Sequence, residues 1–250
     1  MSARDQLSTP TIRLSDYRAP AWRVERVELE FELGIDVTEV ASRLYPRRDP
    51  PQDEPLRLDG EGLELLSIAL DGQPLPVDRY RQTEAELEVD GARDGSVLET
   101  RVRLRPAQNT ALEGLYLSGS RDTGFLLTQC EAEGFRHITF FHDRPDVLAQ
   151  YTVTLRANRS RFPVLLAGGN PDGAGELADG RHWARFVDPH PKPSYLFAIV
   201  AGRLERIERD YRTADGRAVK LVIWSEAHVI DHCEYAMDAL PFKGLHPHDR

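Results

Sequence analysis

The sequence has few cysteines and no long hydrophobic run. Cys130 and Cys233 are its only cysteines, and two thiols cannot build a disulfide framework or a four-cysteine metal site. The first six residues contain no apolar segment of the kind that a secretory signal needs. The longest apolar run, 195–201, is too short to cross a bilayer. These absences predict a cytoplasmic protein with no membrane partner.

Positive charge is not in excess either. The formal net charge is -9 at pH 7 and the sequence pI is about 5.4. A surface that binds phosphate groups needs clustered lysine and arginine, whereas arginine here alternates with acidic residues, as in 23–26. We therefore expect no nucleic-acid partner and a solvated surface of mixed charge.

Alternation of apolar and polar residues is the main pattern that the sequence does contain. Val27, Leu29, Phe31 and Leu33 alternate with three glutamates, which predicts a half-buried strand with one acidic face. Further strand-like segments, separated by glycine, proline and aspartate turns, lie at 66–70, 85–89, 98–104, 151–155, 162–167, 183–187 and 195–200. Many short strands with turn signals between them predict a mainly β fold of the sandwich or barrel type.

The character of the chain changes near Arg203. The stretch 203–212 is highly charged, 218–224 is typical of a strand, and 230–240 has apolar residues at helical spacing. Pro241 should end this helix. The sequence therefore predicts four parts, namely a flexible N-terminus at 1–14, a β domain at 15–203, the start of a second domain at 204–240 and an unstructured tail at 241–250.

One region departs from the β pattern and carries a specific resemblance. Its residues read N-T-A-L-E-G-L-Y at 109–116, T-Q-C-E-A-E-G-F-R at 128–136 and D-R-P-D-V at 143–147. Together with shorter matches at 16–20, 180–183, 188–193 and 195–202, this region resembles the aminopeptidase N family of gluzincin zinc metallopeptidases, of the alanyl aminopeptidase type. The resemblance implies an N-terminal β-sandwich domain, followed by an incomplete start of the thermolysin-like catalytic domain, with one strand and one helix.

Gln129 and Glu131 are the site residues that the resemblance implies. In that family a Gln-x-Glu loop enters the active-site cleft, so Glu131 would bind the free α-ammonium group of the substrate and Gln129 would line the same subsite. A desolvated carboxylate gains a charge-assisted hydrogen bond from a chain terminus, whereas an internal amide leaves it unpaired. The alternative is that Glu131 and Glu133 are surface carboxylates or pair with Arg136 and Arg144.

The other polar residues near Glu131 are interpreted as structural. Glu133 is assigned no function, and Cys130 is expected to pack in the core because the sequence offers no histidine–acid pair to activate its thiol. His137 and His142 lie five apart in a strand-like segment, so their side chains should project to opposite faces. This spacing favours structural histidines over metal ligands.

The zinc motif of the resembled family is absent from the sequence. Zinc peptidases of this class need His-Glu-x-x-His on a helix, with the glutamate as general base. His228 and His232 have the required spacing, but Val229 occupies the general-base position. His246 and His248 lie in the predicted tail. We therefore expect a chain truncated before the zinc motif, with no catalytic residue and no metal site, and zinc only in full-length family members.

Two functions from different classes fit these features. The first is the N-terminal substrate-recognition domain of a zinc-dependent aminopeptidase that removes N-terminal amino acids from peptides. That chain would be inactive alone, its catalytic domain being supplied in cis or by another chain. The second is a stand-alone, non-enzymatic module that binds free peptide N-termini. Both place the peptide terminus at Glu131 and Gln129.

Overall fold

The computed structural model describes residues 13–48 and 54–243. Nearly all of the predicted flexible N-terminus lies outside these residues, as do residues 244–250 of the predicted tail, with His246 and His248. In chain order the described strands are β1 (Trp22–Leu33), β2 (Thr38–Arg48), β3 (Leu56–Asp59), β4 (Glu64–Leu70), β5 (Gln73–Pro74), β6 (Tyr80–Gln82), β7 (Glu86–Val89), β8 (Leu98–Leu104), β9 (Gly114–Ser118), β10 (Phe125–Gln129), β11 (Leu148–Asn158), β12 (Val164–Ala167), β13 (Asn170–Glu176), β14 (Arg181–Pro193), β15 (Ile199–Gly202), β16 (Glu205–Arg212) and β17 (Ala218–Ser225).

Helices are short and few in the described part of the chain. The helix α1 spans Glu234–Lys243. The 3-10 helices are Leu14–Asp16, Val77–Arg79, Pro106–Gln108, Gly134–His137, Ala178–Gly180, Ser194–Leu196 and Ile230–Cys233. Among the described residues, no helix is both long enough and apolar enough to span a membrane.

The strands form one large sheet and three smaller ones. The large sheet has eight strands in the order β13-β14-β11-β1-β2-β8-β4-β5. Its central strand β1 pairs in parallel with β11 and antiparallel with β2. The smaller sheets are β12-β15-β10-β9, β3-β7-β6 and the hairpin β16-β17. The mainly β fold predicted from the alternation is therefore confirmed.

Strand β1 shows how the alternation builds the large sheet. Val27, Leu29, Phe31 and Leu33 are all buried, as predicted, while the glutamates between them point away from the core. Side chains of a strand point alternately to the two faces, so the period of two in the sequence places one apolar face inward. Burying such residues contributes roughly 1.5–3 kcal/mol each.

The outer face of the same sheet is a set of cross-strand ion pairs. Arg43 of β2 lies 2.8 Å from Glu99 of β8 and 3.4 Å from Glu28 of β1. On the other side of β1, Arg156 of β11 lies 2.7 Å from Glu30. Pairs this exposed contribute only about 0–1 kcal/mol each. They account for the interspersed arginine and glutamate of the sequence as a solvated face.

An aromatic cluster joins the large sheet to the strands that carry the candidate site. Phe135 follows β10 and packs edge-to-face on Phe197 and Phe141, with ring centroids 5.0 Å apart in both pairs. Phe197 in turn stacks on Phe31 of β1 at 6.2 Å, and Tyr151 of β11 lies 6.0 Å from Phe135. All five rings are buried. The backbone after β10 is thus anchored in the core.

The C-terminal segment differs from its prediction in two places. The charged stretch 203–212 contains a strand, β16, because it pairs along its whole length with the predicted strand β17. The predicted helix at 230–240 begins as a 3-10 turn and continues as α1 through Pro241 to Lys243. The fixed φ of proline is itself helical, so the ring removes one hydrogen bond without ending the helix at once.

A predicted strand at 195–200 is also only partly correct. Residues Ser194–Leu196 form a 3-10 helix, and strand β15 starts later, at Ile199. The Phe197 amide donates to the Ser194 carbonyl at 3.0 Å, which closes the turn. The connection between β15 and β16 lies at the predicted domain boundary near Arg203, and that boundary stays a prediction.

Candidate functional site

The candidate site lies at the open end of the hairpin formed by β9 and β10. Gln129, the last residue of β10, pairs with Gly114, the first residue of β9. Because the two strands are antiparallel, the segment that enters β9 and the segment that leaves β10 lie at the same end of the hairpin. Residues 129–134 carry the two residues that the resemblance implies for substrate recognition, and for that reason we call them the recognition loop.

Glu131 lies in this loop with its side chain exposed to solvent. Among the described residues, no side chain forms an ion pair or hydrogen bond with its carboxylate. Gln129 is exposed as well, and its Nε2 donates to the backbone carbonyl oxygen of Glu131 at 3.2 Å. The peptide bond between Glu131 and Ala132 is cis. The two residues implied by the resemblance are therefore neighbours in space and accessible.

The alternative interpretation fits both glutamates in part: Glu131 is an exposed surface carboxylate, whereas Glu133 is exposed and pairs with Arg136. Glu133 Oε2 lies 3.5 Å from Arg136 Nη2, three residues further along the chain. Arg144 instead binds Asp146, with Nη2 2.8 Å from Oδ2. Both candidate cations are thus used by other carboxylates, and Glu131 is left without one.

Cys130 points into the core between these exposed residues. It is 2% exposed, and burial, reinforced by the nearby Asp143 carboxylate, raises the pKa of its thiol to about 12. The reactive thiolate is therefore disfavoured at neutral pH. This agrees with the predicted packing role of Cys130.

Two glycines allow the recognition loop and the segment before β9 to touch. A Cβ atom at Gly134 would lie 2.3 Å from the Gln129 carbonyl oxygen and 3.1 Å from the Gly114 nitrogen. A Cβ atom at Gly114, where φ is +68°, would lie 2.7 Å from the Cβ atom of His137. Neither position has room for a side chain, so backbone meets backbone here.

Asn109 holds the segment before β9, and sequence reasoning assigned it no such role. Its Nδ2 donates to the carbonyl oxygens of Glu113 at 2.7 Å and Leu115 at 3.0 Å. Its Oδ1 accepts from the Leu112 amide at 3.2 Å, and Leu112 has a φ of +60°. An asparagine that precedes a short turn often forms such hydrogen bonds to the backbone. The asparagine at position 109 could therefore have predicted this turn.

The histidines of the neighbouring segment are apart from each other and serve different contacts. His137 ends the 3-10 helix Gly134–His137, so the predicted strand-like segment is wrong here. Its Nε2 lies 3.3 Å from Glu113 Oε2, and its Nδ1 lies 3.2 Å from the Glu61 carbonyl oxygen. His142 is largely buried, and burial lowers its pKa to about 4. The hydrogen bonds of the tight turn outweigh the strand-like spacing.

His228 and His232 flank the start of the C-terminal helical segment, and both are exposed. His232 lies in the 3-10 helix Ile230–Cys233 and His228 in the turn before it. Across residues 13–48 and 54–243, no group of three or more His, Cys, Asp or Glu side chains is arranged to hold a metal ion. These residues therefore do not match the donor set of a catalytic zinc centre.

The chain is similar to proteins of one known family. The family model for the peptidase M1 N-terminal domain matches residues 70–196. The chain is similar to aminopeptidase N of Caulobacter vibrioides, with 45% identity over 229 residues, which are 92% of this chain and 26% of that protein. Aminopeptidase N of Escherichia coli is 41% identical over 225 residues, 90% of this chain and 25% of that protein.

A solved structure gives the same result. The crystal structure of Legionella pneumophila aminopeptidase A in complex with aspartic acid matches with a TM-score of 0.83 and 31% sequence identity. The match covers 92% of this chain and 27% of that one. The chain thus spans about a quarter of the length of these relatives. It belongs to the M1 aminopeptidase family and carries the N-terminal domain of that family.

Proposed function

We propose that this chain supplies the substrate-recognition side of a zinc-dependent aminopeptidase that removes N-terminal residues from peptides. In this proposal Glu131 binds the free α-ammonium group of the peptide and Gln129 lines the same subsite. The observation that carries it is the exposed Glu131 carboxylate, which has no cation partner among the described residues, although Glu133 two residues away is paired with Arg136. The names of the relatives support the same reaction class.

An unpaired carboxylate at this position can distinguish a chain terminus from an internal peptide. The terminal ammonium offers three N–H donors and a positive charge, and each charge-assisted hydrogen bond is about twice as strong as a neutral one. An acetylated terminus offers one neutral amide and leaves the carboxylate uncompensated. The preference for free termini therefore follows from charge as well as from hydrogen bonding.

The charges around the recognition loop favour the same ligand. His137 Nε2 lies 3.3 Å from Glu113 and 3.9 Å from Glu61, and Arg136 lies 3.5 Å from both Glu61 and Glu133. Asp143 also pairs with Arg136, so four carboxylates share Arg136 and His137, and Glu131 adds a fifth. The local excess of negative charge should attract an ammonium group and repel the carboxyl end of a peptide.

Exchanging the Glu131 carboxylate for an amide tests the proposal. Glu131→Gln should lower the affinity for a free tripeptide such as Ala-Ala-Phe by about tenfold, because a hydrogen bond to a charged group contributes about 1.5–3 kcal/mol and this site is exposed. Isothermal titration calorimetry with the free and the N-acetylated tripeptide provides the measurement. The acetylated peptide should bind the wild-type chain and the variant equally weakly.

Glu133→Gln is the matched control. It removes the same charge as Glu131→Gln, but from a carboxylate that already pairs with Arg136 and lies two residues further along the chain. It should retain the preference for the free tripeptide, because the glutamine oxygen can still accept a hydrogen bond from Arg136. Equal affinity of the wild-type chain for both peptides would rule out recognition of the terminus by this loop. Equal losses in Glu131→Gln and Glu133→Gln would reduce the effect to general electrostatics.

Zinc belongs to the full-length members of this metallopeptidase family, and we assign it no ligands in this chain. The described residues do not fit a catalytic zinc, since His228 and His232 lack both a third ligand and a general base between them. No hydrolytic step is therefore placed on these residues. The catalytic domain would be supplied in cis, in a longer protein, or by another chain.

Metal content and turnover of the purified chain test this part of the proposal. We expect no stoichiometric zinc by mass spectrometric metal analysis and no release of nitroaniline from an alanyl nitroanilide. The His228→Ala, His232→Ala double variant serves as the control, because its metal content should equal that of the wild-type chain. Turnover that follows the pure protein and stops on chelation would contradict the assignment.

A further inference from the structure

Three residues that lie far apart in the sequence or follow the recognition loop meet beside that loop. Arg136 follows the loop, Asp143 lies seven residues further on, and Ser194 lies 51 residues beyond Asp143. The Ser194 hydroxyl donates to Asp143 Oδ1 at 2.5 Å. The Arg136 amide and Nε donate to Asp143 Oδ2 at 3.0 Å and 3.3 Å. Neither Asp143 nor Ser194 takes part in the proposed recognition of the peptide.

Because this network is buried, each of its polar groups needs a hydrogen-bond partner within the protein. The residues Asp143 and Ser194 are 2% and 1% exposed. A buried carboxylate is costly unless its oxygens are hydrogen-bonded and its charge is matched. Both oxygens of Asp143 are satisfied here, one by a hydroxyl and the other by an arginine. The loss of the hydrogen bond from Ser194 or from Arg136 should therefore shift the Asp143 side chain and, with it, the other partner.

Arg136 connects this buried carboxylate to the recognition loop. Its side chain is 16% exposed and also lies 3.5 Å from Glu133, which is within the loop. Its Nη2 donates to the backbone oxygen of Asp143 at 3.2 Å, in addition to the Nε hydrogen bond to Oδ2. The guanidinium thus binds both the side chain and the backbone of Asp143. The loop itself closes through the Gly134 amide, which donates to the Cys130 carbonyl oxygen at 2.8 Å.

We propose that Arg136, Asp143 and Ser194 form a brace that positions the recognition loop. They are positioning residues, because Asp143 and Ser194 are buried and Arg136 binds Asp143, while none of the three contacts the Glu131 carboxylate. The brace fixes the backbone on which Glu131 stands, and its effect on peptide selectivity rests on the proposed function. The geometry of the loop does not depend on that function and can be measured separately.

Arg144 and Asp146 provide a matched control pair close by. Arg144 donates to both carboxylate oxygens of Asp146, at 2.9 Å and 2.8 Å. Hydrogen bonding to Arg144 lowers the pKa of Asp146 to about 2, despite opposing partial burial. The pair also receives the Tyr17 hydroxyl at 3.0 Å and does not touch the recognition loop. It is thus a paired carboxylate of the same type without the connection to Glu133.

The exchange rate of the Gly134 amide hydrogen, measured by NMR on the full 250-residue chain, reports whether the brace holds the recognition loop. Ser194→Ala and Arg136→Lys should each raise the Gly134 exchange rate by about tenfold, because a lost hydrogen bond makes local opening easier. Asp146→Asn should leave that rate unchanged. Amides in the centre of β1 report global opening and should stay protected in all three variants.

Peptide titration on the same samples separates the two proposals. With the brace weakened, the wild-type preference for free over acetylated tripeptide should fall, whereas Asp146→Asn should keep it. A wild-type chain without any preference would overturn the proposed function, and the brace would then be judged by Gly134 alone. Unchanged Gly134 exchange in both Ser194→Ala and Arg136→Lys would overturn the brace, whatever the peptide result. If Ser194→Ala fails to fold, Arg136→Lys decides.

Discussion

Replacing Phe135 with alanine is expected to destabilise the folded chain by about 4 kcal/mol, as large aromatic truncations in a core do. Phe135 is fully buried and contacts Phe141, Phe197 and Tyr151, with ring centroids 5.0–6.0 Å apart. Its removal leaves a cavity where the recognition loop joins the core. The loss should appear as a lower urea midpoint with an unchanged slope in equilibrium unfolding.

Leu196→Ala is the control for this prediction, because Leu196 is 54% exposed although it precedes Phe197 in sequence. Exposed truncations usually change stability by less than about 0.5 kcal/mol. Phe135→Leu should fall between the two, since it keeps part of the buried volume. Equal unfolding midpoints for Phe135→Ala and Leu196→Ala would show that the aromatic cluster does not hold the loop to the sheet.

Acidification should weaken the fold through His142, by about 3 kcal/mol between pH 6.5 and pH 4. Burial lowers the pKa of this histidine from 6.5 to about 4, with Arg144 adding repulsion and Asp59 partly opposing the shift. The unfolded chain takes up a proton at the ordinary pKa, whereas the folded chain does so only near pH 4. Stability is thus fully present above pH 6.5 and falls as the pH decreases towards 4.

The comparison of His142→Gln with the wild-type chain isolates this contribution. Glutamine cannot become charged, so the stability of the variant should vary less over the same interval. His190 is exposed, and His190→Gln should follow the wild-type profile. Parallel profiles for wild type and His142→Gln, measured by urea unfolding at each pH, would remove His142 as the cause.

Phe135 and His142, the residues of these two predictions, both lie shortly after the recognition loop in the sequence. Residues 134–137 form one tight turn in which Phe135 enters the core, Arg136 binds the buried Asp143 and His137 contacts Glu113. The recognition loop is consequently exposed on one side and anchored on the other. Such an arrangement suits a binding loop, whose groups must be both accessible and held in place.

Local pattern was sufficient wherever one face of a strand is buried. The alternation in 27–33 predicted β1 because its apolar face meets the core and its acidic face meets solvent. In β16 only Ile207 and Tyr211 are apolar among charged neighbours, so the pattern was too weak to reveal a strand. Pairing with β17 supplied the hydrogen bonds that the pattern could not indicate.

Sequence by itself determined the mainly β fold and the family resemblance, which implied Gln129 and Glu131 as site residues, since these depend on period, residue type and motif spacing. Tertiary structure alone decided which acid keeps a free carboxylate. Glu133 pairs with Arg136, while Glu131 has no partner among the described residues. It also decided that Ser194 meets Asp143. Contacts between distant residues form only when packing brings their elements together, and no local pattern records them.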